Sequence, residues 1–228
     1  MRSQIFVPKK ILLCSATLQE IAPFLKWAKQ HFDVQKTEKN YWMFKTKKQE
    51  WHVLITGVGM TNTAYSLGKR HASFFDWALN VGIAGAFDRS LNTGECVVVL
   101  KEVFSELGAE DGTRFLPLSA LGLGKEVVIP KKLYIPKFFS SLKKVNGITV
   151  NKVLGHTKSV MIVRRLFNPQ IETMEGAAFY LACQQNKWRC LELRAISNYV
   201  KRRNKSEWNI SLAITNLNQL LIQYIQSI

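Results

Sequence analysis

The sequence predicts a single α/β domain, residues 1–228, with a β-sheet in the middle and helices around it. Two observations predict it. Short apolar, β-branched runs alternate with longer segments of helical period, and 228 residues at 47% hydrophobic content suffice for one sizeable core. In chain order the candidate strands are Ile11–Ser15, Trp51–Thr56, Ala78–Gly82, Cys96–Leu100, Ile148–Leu154 and Cys190–Ser197. Among the gaps, Leu18–Gln30 places Ile21, Phe24, Leu25 and Ala28 on one helical face, and Glu175–Gln185 and Ser206–Gln226 carry the same spacing. Ser206 is the expected N-cap of the last helix. Phe115–Phe138 holds Pro117, Gly122, Gly124, Pro130 and Pro136 and is expected to be loop with short elements. There is no internal repeat and no low-complexity tract.

Composition narrows the function. No stretch approaches the roughly 20 apolar residues that span a bilayer, and Met1–Lys10 has no apolar run ahead of its two lysines. A soluble, cytoplasmic protein is expected, without a membrane partner. Cys14, Cys96, Cys183 and Cys190 sit among apolar neighbours without CxxC spacing and read as reduced core thiols. The four histidines form no HxxxH pair, so neither a metal site nor a cofactor is expected. The net charge of +16 raises nucleic acid as a partner. The basic residues are nonetheless spread along the chain, with only small clusters at Lys45–Lys48, Lys131–Lys132 and Lys201–Arg203 and no aromatic-interleaved RNA motif. Ordinary solubility, or attraction of an anionic small molecule, accounts for the charge better.

Three strand ends deliver unusual polar groups. Ile11–Ser15 runs into a turn and then a helix whose first turn holds Glu20, a position where a carboxylate ordinarily just complements the helix dipole. Ala78–Gly82 is followed by Ile83, Ala84, Gly85 and Ala86, small residues that let a ligand approach the backbone as readily as they make a structural turn. The spacing is not that of a dinucleotide fingerprint, and neither this segment nor Gly57-Val-Gly59 has the Lys-Ser/Thr of a P-loop. Further on, Glu175 opens a helix behind Met174, and the strand Leu193-Arg-Ala-Ile-Ser ends in the amide of Asn198.

Together, Glu20 after the first strand, Gly-Ile-Ala-Gly85, Met174-Glu175-Gly-Ala-Ala and Arg194-Ala-Ile-Ser-Asn198 resemble the nucleosidases that cleave methylthioadenosine and S-adenosylhomocysteine, and their phosphorylase relatives. The resemblance runs from Ile11 to the C-terminus and is poorest over Phe115–Gly147. It implies a nucleoside phosphorylase-like fold with a mixed, partly barrel-like sheet, and cleavage of an N-glycosidic bond without metal or coenzyme. Such cleavage builds positive charge on the ribose and negative charge on the leaving base. By that likeness Glu20 activates a water, Glu175 accepts ribose hydroxyls with Met174 packed on the sugar, and Ala84, Gly85 and Asn198 hold the base. The adenine-specific members carry an aspartate where this chain has Asn198. An amide donates to purine N7 or to a 6-oxo oxygen, which points to hypoxanthine or guanine and gives Asn198 a catalytic part beside Glu20, activating the leaving base by hydrogen bonding rather than by giving up a proton.

Phe104-Ser-Glu-Leu-Gly-Ala-Glu-Asp-Gly112 and the segment from Asn198 to Ile210 further resemble futalosine hydrolases, which release hypoxanthine from futalosine in an alternative menaquinone pathway. Futalosine is an inosine-like nucleoside extended at its 5′ side by a benzoate, and Lys201 and Arg203 are the candidate partners for that carboxylate. The likeness also implies a homo-oligomer in which a neighbouring subunit closes the 5′ side. Two other readings stay open. A purine nucleoside phosphorylase would need an anion pocket from residues such as Arg70, Arg89, Arg164 and Arg165, and a nucleic-acid or nucleotide-binding module would leave Glu20 and Glu175 without a task.

Overall fold

The first apolar run forms β1 (Lys10–Ser15), and its residues are almost wholly buried because it lies between two parallel neighbours with helices on both faces. The computed structural model describes residues 6–202 and 204–228. After β1 come α1 (Leu18–His31), the antiparallel pair β2 (Gln35–Glu38) and β3 (Tyr41–Lys45), β4 (Glu50–Ile55), α2 (Met60–Gly68), β5 (Trp77–Ala86) and β6 (Cys96–Val103). A separate hairpin, β7 (Gly108–Asp111) and β8 (Arg114–Pro117), precedes β9 (Val127–Val128), β10 (Lys143–Thr149), α3 (Thr157–Phe167), β11 (Ile171–Thr173), α4 (Gly176–Asn186), β12 (Arg189–Tyr199) and α5 (Ile210–Gln226).

The main sheet runs β11-β10-β6-β12-β5-β1-β4-β3-β2, with β9 on β6. It also closes on itself: Ile171 and Glu172 of β11 pair antiparallel with Ala86 and Gly85 of β5, so β5, β12, β6, β10 and β11 form a five-stranded mixed barrel. Strand alternation divides the core. Ile11 and Leu13 pack with Phe24, Leu217 and Tyr224 toward α1 and α5, whereas Leu12 and Cys14 pack with Leu67, Phe179 and Tyr180 toward α2 and α4.

The differences from expectation have local causes. Gly82–Gly85 is strand rather than turn, because the ladder with β12 continues to Ala86 and β11 pairs at the same end. β10 lies five residues earlier than the apolar run at Ile148–Leu154, since Lys143 and Lys144 can sit exposed at its start while residues 150–154 leave the sheet toward the pocket. The last helix starts at Ile210, with Asn209 as N-cap accepting from the Leu212 amide at 3.1 Å; Ser206 falls in a short 3₁₀ turn before it.

One buried contact fixes the start of α1 against α5. Pro23 removes a backbone donor from the helix. Beside it the Asn218 amide bridges two groups that an uninterrupted helix would pair: it accepts from the Phe24 N–H at 2.9 Å and donates to the Glu20 carbonyl at 2.8 Å. Asn218→Leu keeps the volume and strips both bonds, with a third from Nδ2 to the Ile214 carbonyl, from a buried site. It should cost about 1–3 kcal/mol, read as a lower urea midpoint at unchanged slope; an unaltered midpoint would contradict this role.

Candidate active site

A cavity of about 360 Å³ opens at the rim of the barrel where the ends of β1, β5, β11 and β12 converge. Its size suits a small organic ligand. Glu20, Ala84, Gly85, Met174, Glu175, Asn198 and Lys201 all line it, so the structure brings together every described residue that the sequence proposed for the site. Arg203, the other proposed 5′ contact, lies outside the described residues.

Glu20 owes its placement to the turn after β1. Thr17 caps α1, its hydroxyl accepting from the Glu20 amide at 3.3 Å, while Glu20 Oε2 accepts from the Thr17 N–H at 2.9 Å. This reciprocal box spans Thr17-Leu-Gln-Glu20. The hydroxyls of Ser15 and Thr17 lie 3.2 and 3.0 Å from the same Oε2, and the Ile83 N–H donates to Oε1 at 3.1 Å. Oε1 is therefore the less committed oxygen, the one with lone-pair capacity left for a ligand.

Behind Glu20 lies a buried charge cluster. Arg194, on β12, donates from Nε to Glu192 at 2.8 Å and reaches Glu175 through Nη1 at 3.3 Å. Gly82 permits the arrangement: a Cβ there would stand 2.4 Å from Arg194 Nη1 and 2.7 Å from Glu20 Oε1. Burial works against the Arg194 charge, but Glu192, Glu175 and Glu20 outweigh it and hold the guanidinium firmly protonated. Burial in turn raises the Glu175 carboxyl above its ordinary range, opposed by Arg194 and by the Gly59 N–H, which donates to Glu175 Oε1 at 3.1 Å. Deeper still, Glu102 accepts from the Thr149 and Thr173 hydroxyls at 2.9 and 3.1 Å. Burial and then Glu192 push the Glu102 carboxyl well above its ordinary range, opposed by the Thr149 and Thr173 hydroxyls and by Arg194.

Asn198 sits just past a bulge in the β12–β5 register at Ser197. The Ser197 hydroxyl lies 2.8 Å from Asn198 Oδ1 and 3.2 Å from the Ala84 carbonyl, and Asn198 Nδ2 donates to the Tyr199 carbonyl at 3.2 Å. The amide oxygen thus faces a hydroxyl, and one Nδ2 hydrogen remains for a ligand. Lys201 lines the same cavity and is ion-paired with Glu207. The arginines a phosphate pocket would draw on are placed elsewhere. Arg70 forms a two-pronged pair with Glu38 at 2.8 Å, Arg164 donates to the Phe87 carbonyl at 2.8 Å, Arg89 stacks over Tyr199, and none of Arg70, Arg89, Arg164 and Arg165 lines the cavity.

Several site residues escaped the sequence reading. Thr17 carried a legible signal, the capping-box spacing to Glu20. Glu172 and the amides of Gly59 and Ile83 carried none, because closure of the barrel and the loop after β4 decide where they lie.

The closed five-stranded sheet has the fold of the nucleoside phosphorylase and nucleosidase superfamily. It superposes on the futalosine hydrolase of Helicobacter pylori with a TM-score of 0.79 at 16% identity, covering 96% of this chain and 98% of that one. With the methylthioadenosine/S-adenosylhomocysteine nucleosidase of Colwellia psychrerythraea, solved in complex with adenine, the TM-score is 0.75 at 21% identity over 95% and 94% of the chains. No protein-family model matches. In sequence, the chain is 33% identical over 171 residues to the futalosine hydrolase of Thermus thermophilus, spanning 72% of this chain and 76% of that one. It is 25% identical over 225 residues to the aminodeoxyfutalosine nucleosidase of Campylobacter jejuni, spanning 95% and 96%. The chain belongs to the futalosine hydrolase family and is an N-glycosyl hydrolase of nucleosides.

Proposed function

We propose that the chain hydrolyses the N-glycosidic bond of futalosine, releasing hypoxanthine and leaving dehypoxanthine futalosine for the alternative menaquinone pathway. The observation that carries this reading is the convergence of Glu20, Glu175 and Asn198 on one cavity, where the Asn198 oxygen is met by the Ser197 hydroxyl and one of the two Nδ2 hydrogens is taken by the Tyr199 carbonyl, which leaves a donor for the base. Glu20 Oε1 takes a proton from the attacking water. Glu175 accepts the ribose hydroxyls, with Met174 against the sugar, and its charge favours the cationic transition state. Ala84 and Gly85 allow the base to lie against β5, and Asn198 donates to N7 or O6.

An amide cannot release a proton to the leaving base, so departure relies on hydrogen bonding, with water completing the transfer. Lys201 meets the 5′ carboxylate; its pairing with Glu207 uses only part of its three-donor capacity. The enzyme works in the cytoplasm as a homo-oligomer whose neighbouring subunit covers the 5′ side of the pocket. The exposed apolar side chains of Val58 and Val153 at the cavity support such a cover.

Base release from futalosine, aminodeoxyfutalosine, inosine and methylthioadenosine, with and without phosphate, tests the reading. Futalosine should be the preferred substrate, phosphate should be without effect, and inosine, lacking the 5′ extension, should react slowly. Preference for methylthioadenosine would overturn it. Asn198→Asp should move the ratio of futalosine to aminodeoxyfutalosine kcat/KM toward the 6-amino substrate by about tenfold or more, the cost of mispairing one buried polar group. An unchanged ratio would remove Asn198 from base recognition.

A further inference from the structure

The roles above leave one buried acid in the cavity without a task. Glu172, in the centre of β11, is 5% exposed and lines the pocket. Its register partner across the barrel closure is Gly85 of β5, and on the other side of β5 the partner of Gly85 is Asn198. Paired residues on adjacent strands project to the same face, so Glu172 and Asn198 flank Gly85 from opposite sides. A Cβ at Gly85 would lie 2.9 Å from Val200 Cγ2 and 3.3 Å from Asn198 Nδ2, which places the amide beside Gly85 together with Val200. The neighbouring residue Thr173 also borders the cavity, but its hydroxyl is bonded to Glu102 inside the barrel.

The local bonds define what Glu172 offers a ligand. Both carboxylate oxygens accept from the Leu154 N–H, at 3.2 and 3.1 Å. Leu154 also lines the cavity, and its backbone donor is thereby occupied by Glu172. The wall at this point presents an acceptor instead of a donor. Burial pushes the Glu172 carboxyl up to about 8, against the Leu154 amide and with a smaller contribution from Glu106; a second N–H donor favours the ionised form.

We infer that Glu172 is a specificity-determining residue that accepts the N1–H of a 6-oxopurine while Asn198 donates to the base from across Gly85. The inference rests on the proposed function of this pocket. A 6-oxopurine carries a hydrogen on N1 and a 6-aminopurine carries a lone pair there, so the ionised carboxylate, which the N1–H donor itself favours, accepts from the first and repels the second, and the discrimination strengthens as pH rises toward 8 and beyond. The pocket then reads the base with opposite polarities on the two sides of β5, a donor from β12 and an acceptor from β11.

Binding of free bases to the intact protein tests this without requiring turnover. Hypoxanthine, 1-methylhypoxanthine (which has no N1–H) and adenine are titrated against wild type and Glu172→Gln. Gln keeps an oxygen for the Leu154 N–H but offers an amide donor in place of the charge. Wild type should bind hypoxanthine about ten- to hundredfold more tightly than 1-methylhypoxanthine, the range for a hydrogen bond to a charged group. In Glu172→Gln that preference should collapse, and adenine should gain on hypoxanthine. A purely structural Glu172, holding the loop at Leu154, would weaken all three bases by one factor and leave the ratios alone; that result overturns the inference, as does a wild type indifferent to N1 methylation. Failure of the broader reading shows separately, as wild type that binds hypoxanthine selectively yet releases no base from futalosine.

Discussion

Glu20→Gln should lower kcat for futalosine by about 10²- to 10⁴-fold, the range supplied by a positioned general base, while hypoxanthine affinity changes little. The expectation follows from how the carboxylate is held. Oε2 is fixed by the Thr17 amide and by hydroxyls, and Oε1 keeps capacity beside the Ile83 N–H. A glutamine can preserve the capping bond to Thr17 with its oxygen, so α1 should remain intact and only the basic oxygen is lost. Single-turnover rates separate the chemical step from product release. A variant with wild-type turnover would show that the water is activated by some other group.

Arg194→Met should be the most destabilising single change at the site, at about 3–5 kcal/mol, because it strands carboxylates rather than merely deleting a contact. Glu192 has no exposed surface, and Glu175 is only 4% exposed. Both carboxyls are already raised by burial, with Arg194 as the chief opposing influence. Without the guanidinium they rise further. The sign for pH follows: a folded state whose acids titrate above their unfolded values holds extra protons, so its stability falls as pH rises through that interval. The deficit of Arg194→Met should therefore be larger at pH 8 than at pH 5, measured by urea unfolding at each pH. An equal deficit at both would mean that Glu192 and Glu175 do not carry the cost.

The parts of the fold legible in sequence are those governed by local pattern. β1, β4 and α1 stand within a residue or two of their apolar runs, since burial on both faces or on one helical stripe writes itself into consecutive residues. α2 and α3 were not read. α2 buries only Thr63 and Leu67 and shows no wide apolar stripe, whereas α3 carries one at Val160, Val163 and Phe167, next to the prolonged apolar run at Ile148–Leu154 that drew the strand assignment instead. β11 has three residues, and its identity comes from pairing with β10 and β5 rather than from its own composition. The same division holds in the site. Glu20, Glu175 and Asn198 were visible because a family likeness attaches to the motifs around them, whereas Glu172 enters the pocket only through the register of a barrel closure that pairs Ile171 with Ala86 and Glu172 with Gly85, far apart in the chain.

The central claim is that water, activated in this pocket, displaces hypoxanthine from a 5′-extended 6-oxopurine nucleoside. It is tested most directly by incubating the enzyme with futalosine in ¹⁸O-labelled water, with phosphate absent and then in excess, and weighing the sugar product. Hydrolysis predicts hypoxanthine release at the same rate in both, with one labelled oxygen in dehypoxanthine futalosine. Release that requires phosphate and yields a sugar phosphate without label would contradict it.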